Sequence, residues 1–178
     1  MRRFRNASFL PLILLGLISF LILFYLTLPS PKKSEYPISP SILKELSTEG
    51  YTKVSVDAQV VGNNGIVRLR GGCYQLIAYT EPTQAYSIMK GLEGKIDFRP
   101  NTHDLIKSIF DELGIKVLLV KIVDLRNNTF IGEMIIQQGN KIINLDSRPS
   151  DATAIAVRYG IPIYIKTKLL KENGEYIC

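Results

Sequence analysis

Leu145 to Gly160 reads LDSRPSDATAIAVRYG, and the period of its apolar residues changes partway through. Lys141 to Leu145 (KIINL) is a β-rich run. From Asp151 onward Ala152, Ile155, Ala156 and Tyr159 recur at the spacing of one helical face. Ser150 stands where an N-cap belongs, Pro149 stiffens the approach, and Gly160 follows the last periodic residue as a C-cap. A strand therefore hands over directly to a helix, with Asp146, Arg148 and Asp151 packed into six residues at the junction. Two carboxylates and a guanidinium at a helix N-terminus can hold a phosphate and a divalent cation. The same residues also suit an ordinary helix start, with Asp151 offsetting the dipole, Ser150 capping, and Arg148 paired to a neighbouring carboxylate. Spacing alone leaves both readings open.

Working outward, the helix after Pro100 carries Leu105, Ile106, Ile109, Phe110 and Leu113 as one apolar stripe, predicted to hold it down. Asn101 or Thr102 caps its start and Gly114 ends it. Pro82 opens another helix, with Ala85, Ile88, Met89 and Leu92 on one side. Val54, Val56, Ala58 and Val60 alternate with polar residues, which is a half-buried strand. The Gly62 to Gly65 turn leads to a short strand at Ile66 to Leu69, and Gly71-Gly72 breaks the chain before Cys73 to Tyr79. Ile115 to Asp124 and Thr129 to Gln138 are joined by Arg126-Asn127-Asn128, a hairpin signal. Ile161 to Ile165 is the last strand. The prediction is α+β: a mostly antiparallel, twisted sheet with about three packed helices, preceded by one transmembrane helix.

That last element is Phe9 to Leu28, twenty residues without a charge. At about 1.5 Å per residue it is long enough for a hydrocarbon core of about 30 Å. A secretory signal peptide is the competing reading, but the run exceeds the usual apolar length and no small-residue cleavage pattern follows. The expected layout is a basic tail at 1–8, an anchor at 9–28, a Pro/Ser-rich linker at 29–48, one domain at 49–170 and a tail at 171–178. Four prolines and four serines between Pro29 and Ser41 make the linker an extended spacer. Arg2, Arg3 and Arg5 against Lys32 and Lys33 lean toward a single-pass protein with an extracytoplasmic domain.

Net charge is +6, from 22 basic and 16 acidic residues. Beyond residue 33 the balance is 17 basic against 16 acidic, so the high pI belongs to the flanks of the apolar segment. Any nucleic-acid site must be a local patch. The sequence holds two cysteines and one histidine, which excludes a zinc site of the Cys/His kind. Cys73 is expected as a small core residue and Cys178 as a free thiol, without a disulfide framework.

His103 and Asp104 fall at a helix N-terminus within RPNTHDLIKSIF (Arg99 to Phe110). An imidazole with a pKa of about 6.5 suits general acid–base work on a phosphodiester. This stretch and the first together resemble the bifunctional nuclease domain family, whose members carry close relatives of RPxTHDL and DSRPSDAxAxAVxxGxPIY. Here these stand as Arg99 to Leu105 and Asp146 to Tyr164. Between them Asp124 to Phe130 is similar to the family's DLxxxTF hairpin, and the resemblance covers about Tyr51 to Ile165. It implies a domain that cleaves both DNA and RNA. One departure bears on catalysis. Many relatives have a glutamate in a stretch like EAxAI, where this chain reads Gln84-Ala85-Tyr86-Ser87-Ile88.

The expectation is a membrane-anchored nuclease hydrolysing RNA and DNA. Asp146 and Asp151 would hold a divalent cation, magnesium or manganese, and Arg148 would clamp the substrate phosphate with Arg126 as a further contact. His103, Asp104, Asp146 and Asp151 would form the catalytic set. Nucleic acid and membrane lipid are the expected partners, and a homo-oligomer stays open. The rival is a non-catalytic, membrane-tethered module that binds a ligand or protein on the same fold. The near-neutral domain charge, Gln84 and an extracytoplasmic location favour it.

Overall fold

The structure, a computed structural model, describes residues 10–27 and 40–178. It divides into two units, Met1–Pro37 and Ile38–Cys178. In the first, α1 (Leu10–Thr27) carries no charged residue, and side chains such as Leu17, Phe20, Leu21 and Tyr25 are exposed. Among the described residues no helix is long and apolar enough to cross a membrane. Phe9 and Leu28, the ends of the predicted anchor, lie outside the described residues, as do the basic tail and linker residues 29–39.

The second unit is built on one sheet of β1 (Tyr51–Val61), β2 (Asn64–Gly71), β3 (Tyr74–Thr80), β4 (Ile115–Arg126), β5 (Thr129–Gln138), β6 (Lys141–Ser147), β7 (Ile163–Lys166) and β8 (Glu175–Tyr176). Their order is β6-β5-β4-β7-β1-β2-β3-β8. Short turns make two antiparallel meanders, β1-β2-β3 and β4-β5-β6. In the β4–β5 turn Asn127 and Asn128 both take positive φ, 48° and 60°, the backbone that a two-residue hairpin demands and asparagine tolerates. β7 joins the meanders, antiparallel to β1 and parallel to β4. The sheet is thus mostly antiparallel, as expected.

The helices of this unit are α2 (Pro40–Leu46), α3 (Pro82–Leu92), α4 (Thr102–Glu112), α5 (Pro149–Tyr159) and α6 (Thr167–Asn173), more than the three predicted. α5 packs against β4, β5, α3 and α4. That setting explains its small residues: Ala152, Ala154 and Ala156 are all buried and let the neighbours close in. Gly91 of α3 sits so near α5 that a Cβ there would lie 2.6 Å from Val157 Cγ2. Val120, Ile122, Ile163, Ile165 and Ile88 complete the core between sheet and helices.

Three local expectations change. α5 begins two residues early, with Arg148 as N-cap and Pro149 at its first position, so Ser150 is inside the helix and no side chain caps it. Pro149 suits that place because its missing N–H would have lacked a helical partner anyway. On α4 only Ile106 and Phe110 join the core; Leu105, Ile109 and Leu113 are exposed. The chain end is also no loose tail. α6 buries Leu169 and Leu170, β8 pairs with β3, and Cys73 and Cys178 form a disulfide with a Cα–Cα distance of 5.2 Å. The expected free thiol is therefore oxidised: the Ile177 N–H donates to the Cys73 carbonyl at 2.9 Å and brings the two cysteines together.

Candidate functional site

The N-terminus of α4 is fixed by a reciprocal cap. Asn101 Oδ1 accepts the N–H groups of His103 and Asp104 at 2.9 and 3.2 Å, and Asp104 Oδ2 accepts the Asn101 N–H at 2.9 Å. This satisfies donors that the first turn would otherwise leave orphaned. The other Asp104 oxygen receives Arg158 Nε at 2.7 Å, with both side chains only 5% exposed. Arg158 reaches further, donating to the carbonyls of Ser87 and Ala154 at 3.0 and 2.8 Å and to Ser87 Oγ at 3.0 Å. Burial pushes the Asp104 carboxyl up, but Arg158 and the Asn101 N–H together hold it below its ordinary range. Asp104, expected in the catalytic set, is turned inward onto Arg158 and does not line the cleft that His103 and Asp151 border.

Arg158 is the residue that sequence reasoning missed. It sits four residues after Ala154 and three after Ile155, so helical spacing places a guanidinium beside buried positions. That mismatch was the available signal, because a charge there needs a buried partner.

His103 links the cap to the second helix. Its side chain is 8% exposed, with Nδ1 2.9 Å from Ser87 Oγ and Nε2 3.2 Å from Asp151 Oδ1. Burial lowers the imidazole pKa, Asp151 opposes this, and Arg158 adds to the lowering. The ring is therefore neutral near pH 7. A carboxylate only accepts, so Nε2 carries the proton and Nδ1 accepts from the Ser87 hydroxyl.

Asp151 is where these groups reach solvent. Its Oδ2 accepts Arg148 Nε at 2.7 Å and its Oδ1 accepts Arg148 Nη2 at 3.3 Å. Gln84 completes the ring once its amide is turned so that each end meets a partner: the nitrogen then donates to Asp151 Oδ1 at 2.9 Å and the oxygen accepts from Arg148 at 3.3 Å. The position that departs from the family pattern thus touches the site directly. Arg148 stays 68% exposed and Asp151 31%. They border a cleft of about 480 Å³ that His103, Gln84, Met134 and Ser147 also line. Gly132 of β5 lets the Ser147–Pro149 turn lie close, since a Cβ there would be 2.8 Å from the Ser147 carbonyl oxygen.

The expected pairing of Asp146 with Asp151 is not formed. Asp146 pairs with Glu133 across β5–β6 and, by strand alternation, points away from Ser147 and the cleft. Arg126 is bound to Asp124 at 2.7 Å on the exposed hairpin, outside the cleft. Asp151 is the carboxylate lining the cleft, and among the described residues no group of three or more His, Cys, Asp or Glu converges on a metal position. Of the residues first singled out, His103, Arg148 and Asp151 come together; Asp104 supports them from behind; Asp146 and Arg126 stand apart.

Residues 70–177 match the family model described as the bifunctional nuclease domain. An uncharacterized protein of Mycobacterium tuberculosis is 35% identical over 112 residues, 63% of this chain and 66% of the relative. Bifunctional nuclease 1 of Arabidopsis thaliana and Bifunctional nuclease 2 of Oryza sativa subsp. japonica are each 32% identical over 79 residues, 43% of this chain and 24% of theirs. The chain thus spans about two thirds of the mycobacterial relative's length and about a quarter of the plant proteins'. The buried Arg158 network and the Asp151 cleft lie within the matched segment, and the chain belongs to the bifunctional nuclease domain family.

Proposed function

We propose that the domain hydrolyses phosphodiester bonds of RNA and DNA at the Asp151 cleft. The observation that carries this is one half-open carboxylate, oriented from behind by a neutral buried imidazole and paired in front with an exposed guanidinium. Asp151 accepts a proton from a water whose oxygen attacks phosphorus. As the new P–O bond forms and the old ester bond breaks, that proton passes to the departing sugar oxygen. Arg148 holds a non-bridging oxygen, for which a planar fork of donors is suited. His103 fixes the carboxylate's orientation, and Ser87, itself held by Arg158, fixes His103.

A divalent cation, magnesium or manganese, would have Asp151 as its one carboxylate ligand here, with substrate phosphate and water filling the shell. Bound there it would neutralise charge on the phosphoryl group. Asp146 does not reach it. A second reading, a non-catalytic binding module, is favoured by the same lone carboxylate, since relatives with glutamate at the Gln84 position would have two.

Attachment of segment 9–28 to a membrane and an extracytoplasmic location belong to the same proposal. The uncharged α1 segment and the disulfide support them, because disulfides persist in oxidising compartments. The exposed α4 stripe supports self-association.

The deciding assay offers single- and double-stranded RNA and DNA to the full-length chain with magnesium, manganese or chelator. Asp151→Asn should lower turnover roughly 10²-fold or more while leaving the urea midpoint near wild type. A folded Asp151→Asn variant with the wild-type rate refutes the site. A folded wild type that binds nucleic acid and cleaves none under any condition makes the domain a binding module.

A further inference from the structure

β7, β1, β2 and β3 lie side by side, and α3 and α6 pack on them from the face that carries the core. The other face is left to solvent: Val61, Ile77 and Tyr79 there are 53%, 39% and 75% exposed. By register and strand alternation it presents Lys166 of β7, Lys53 and Asp57 of β1, Arg68 and Arg70 of β2, and Tyr79 of β3. Four cations thus stand against one carboxylate on these four strands, with Glu175 of β8 at the margin opposite Gln75. Asp57 is taken by Arg68 at 3.1 Å, whereas Arg70 Nε donates to Gln75 Oε1, a neutral partner that fixes the guanidinium without cancelling its charge. The same face of β4 to β6 has the reverse character. Glu133 and Asp146 stand opposite each other there, and Glu45 of α2 lies over it, accepting Lys121 Nζ and Asn144 Nδ2, both at 2.6 Å. Charge is therefore segregated, with α2 on the acidic half and the basic, tyrosine-bearing half bare.

We infer that this open face is a second nucleic-acid surface, which binds a single strand by its phosphates along Lys166, Lys53 and Arg70 and stacks a base on Tyr79. Nucleic acid as the ligand is shared with the nuclease reading above, but the surface lies on the opposite side of the sheet from Asp151 and its binding needs no cleavage. Two arguments select this occupant. Beyond residue 33 the chain is almost neutral, so a nucleic-acid surface has to be a local patch of this kind. The Asp151 cleft offers one guanidinium, itself paired to Asp151, whereas affinity for a polyanion grows with the number of phosphates neutralised. A second copy of the chain is disfavoured, because a two-fold contact of this face with itself brings like charges together. An exposed ring on a sheet stacks the splayed bases of a single strand, which a duplex keeps stacked on one another, and it accepts any base by its face.

The test uses the full-length chain without metal and two fluorescent probes of equal length, a single-stranded DNA oligonucleotide and an abasic sugar–phosphate chain, read by anisotropy across a salt series. Each neutralised phosphate of a single strand contributes about −0.7 to the slope of log K against log salt, so Lys53→Gln with Arg70→Gln should flatten the slope by about 1.4 for both probes. Tyr79→Ala should weaken the oligonucleotide about tenfold, the scale of one stacked base, and leave the abasic probe and the slope unchanged. Tyr79→Phe, which keeps the ring, should restore it. All three positions are exposed, so an unchanged urea midpoint verifies the fold. Wild-type slope in the double variant, or equal binding of the two probes by wild type, overturns the inference even where cleavage is present. A wild type that is a dimer in sedimentation and becomes a monomer on Tyr79→Ala also overturns it, since the face then belongs to a second copy. Binding with both dependences but no cleavage once magnesium or manganese is added overturns the nuclease reading and leaves the surface standing. Binding of neither probe overturns the surface, and cleavage then decides the nuclease reading alone.

Discussion

Replacing Asp104 by asparagine separates a structural carboxylate from a catalytic one. The side chain keeps its shape and can still accept the Asn101 N–H, so most of the α4 cap survives. What disappears is the charge 2.7 Å from Arg158 Nε, where both side chains are 5% exposed. Removing one partner of such a pair strands a buried charge and costs about 3–5 kcal/mol. The other acceptors of Arg158, the Ser87 and Ala154 carbonyls, soften the loss, so about 3 kcal/mol is expected. Against a total stability of about 5–15 kcal/mol this is a large fraction. In the Ile38–Cys178 unit it should lower Tm by roughly 10 °C, at about 3–4 °C per kcal/mol for its size. Urea unfolding at pH 7 followed by circular dichroism reads the change. Asp104→Leu combined with Arg158→Met should recover much of it, since an apolar pair needs no counter-charge. Cleavage by the folded Asp104→Asn protein should drop far less than by Asp151→Asn. A loss below about 1 kcal/mol together with abolished cleavage would put the Asp104 carboxylate on the substrate and refute the reasoning.

Acid should destabilise the domain in two steps. The lowered His103 pKa means that below about pH 6.5 the unfolded imidazole takes a proton which the folded one refuses, so stability falls as pH drops. His103→Gln should flatten the urea midpoint between pH 7 and 5, and an unchanged slope would assign that window to other groups. The depressed Asp104 carboxyl stabilises the fold above its unfolded value near 3.8, and that contribution disappears as pH falls through its folded value. Gly132→Ala should push the Ser147–Pro149 turn outward and cost about 1–3 kcal/mol. Cleavage should fall with it as Arg148 and Asp151 shift, and wild-type stability with wild-type rate would show that the close approach has no role. Reducing Cys73–Cys178 opens a loop spanning a sequence separation of 105 and should cost roughly 2–5 kcal/mol. An identical urea midpoint with and without reductant would remove the disulfide from the stability of the fold.

Features governed by near neighbours were legible in the chain itself. The Asn127-Asn128 turn, the Asn101 cap of α4, Pro82 at the start of α3 and the left-handed Gly160 after α5 follow from backbone sterics within a few residues. So did the change from a period of two to 3.6 at the β6–α5 junction, which announced α+β and placed Arg148 and Asp151 at a helix start. His103 was singled out as a candidate through its motif, though not as a buried residue.

Everything that depended on which faces meet was decided by the tertiary structure. The stripe on α4 has helical period, yet a period does not say which side the rest of the chain covers. His103, Ile106 and Phe110 turned inward while Leu105, Ile109 and Leu113 stayed outside. Asp146 and Ser147 are adjacent, and only the register of β6 on β5 sends Ser147 to the cleft and Asp146 to the far face. The Asp104–Arg158 pair joins positions 54 residues apart, and the disulfide joins positions 105 apart. The insertion of β7 between β1 and β4 brings both meanders and α5 into one sheet-and-helix layer. Local sterics set a residue's backbone, but the burial, charge state and reach of its side chain depend on atoms that sequence distance does not reveal. That is why the chain alone announced the α5 start, and only the packed sheet and helices made Asp151 the carboxylate of the cleft.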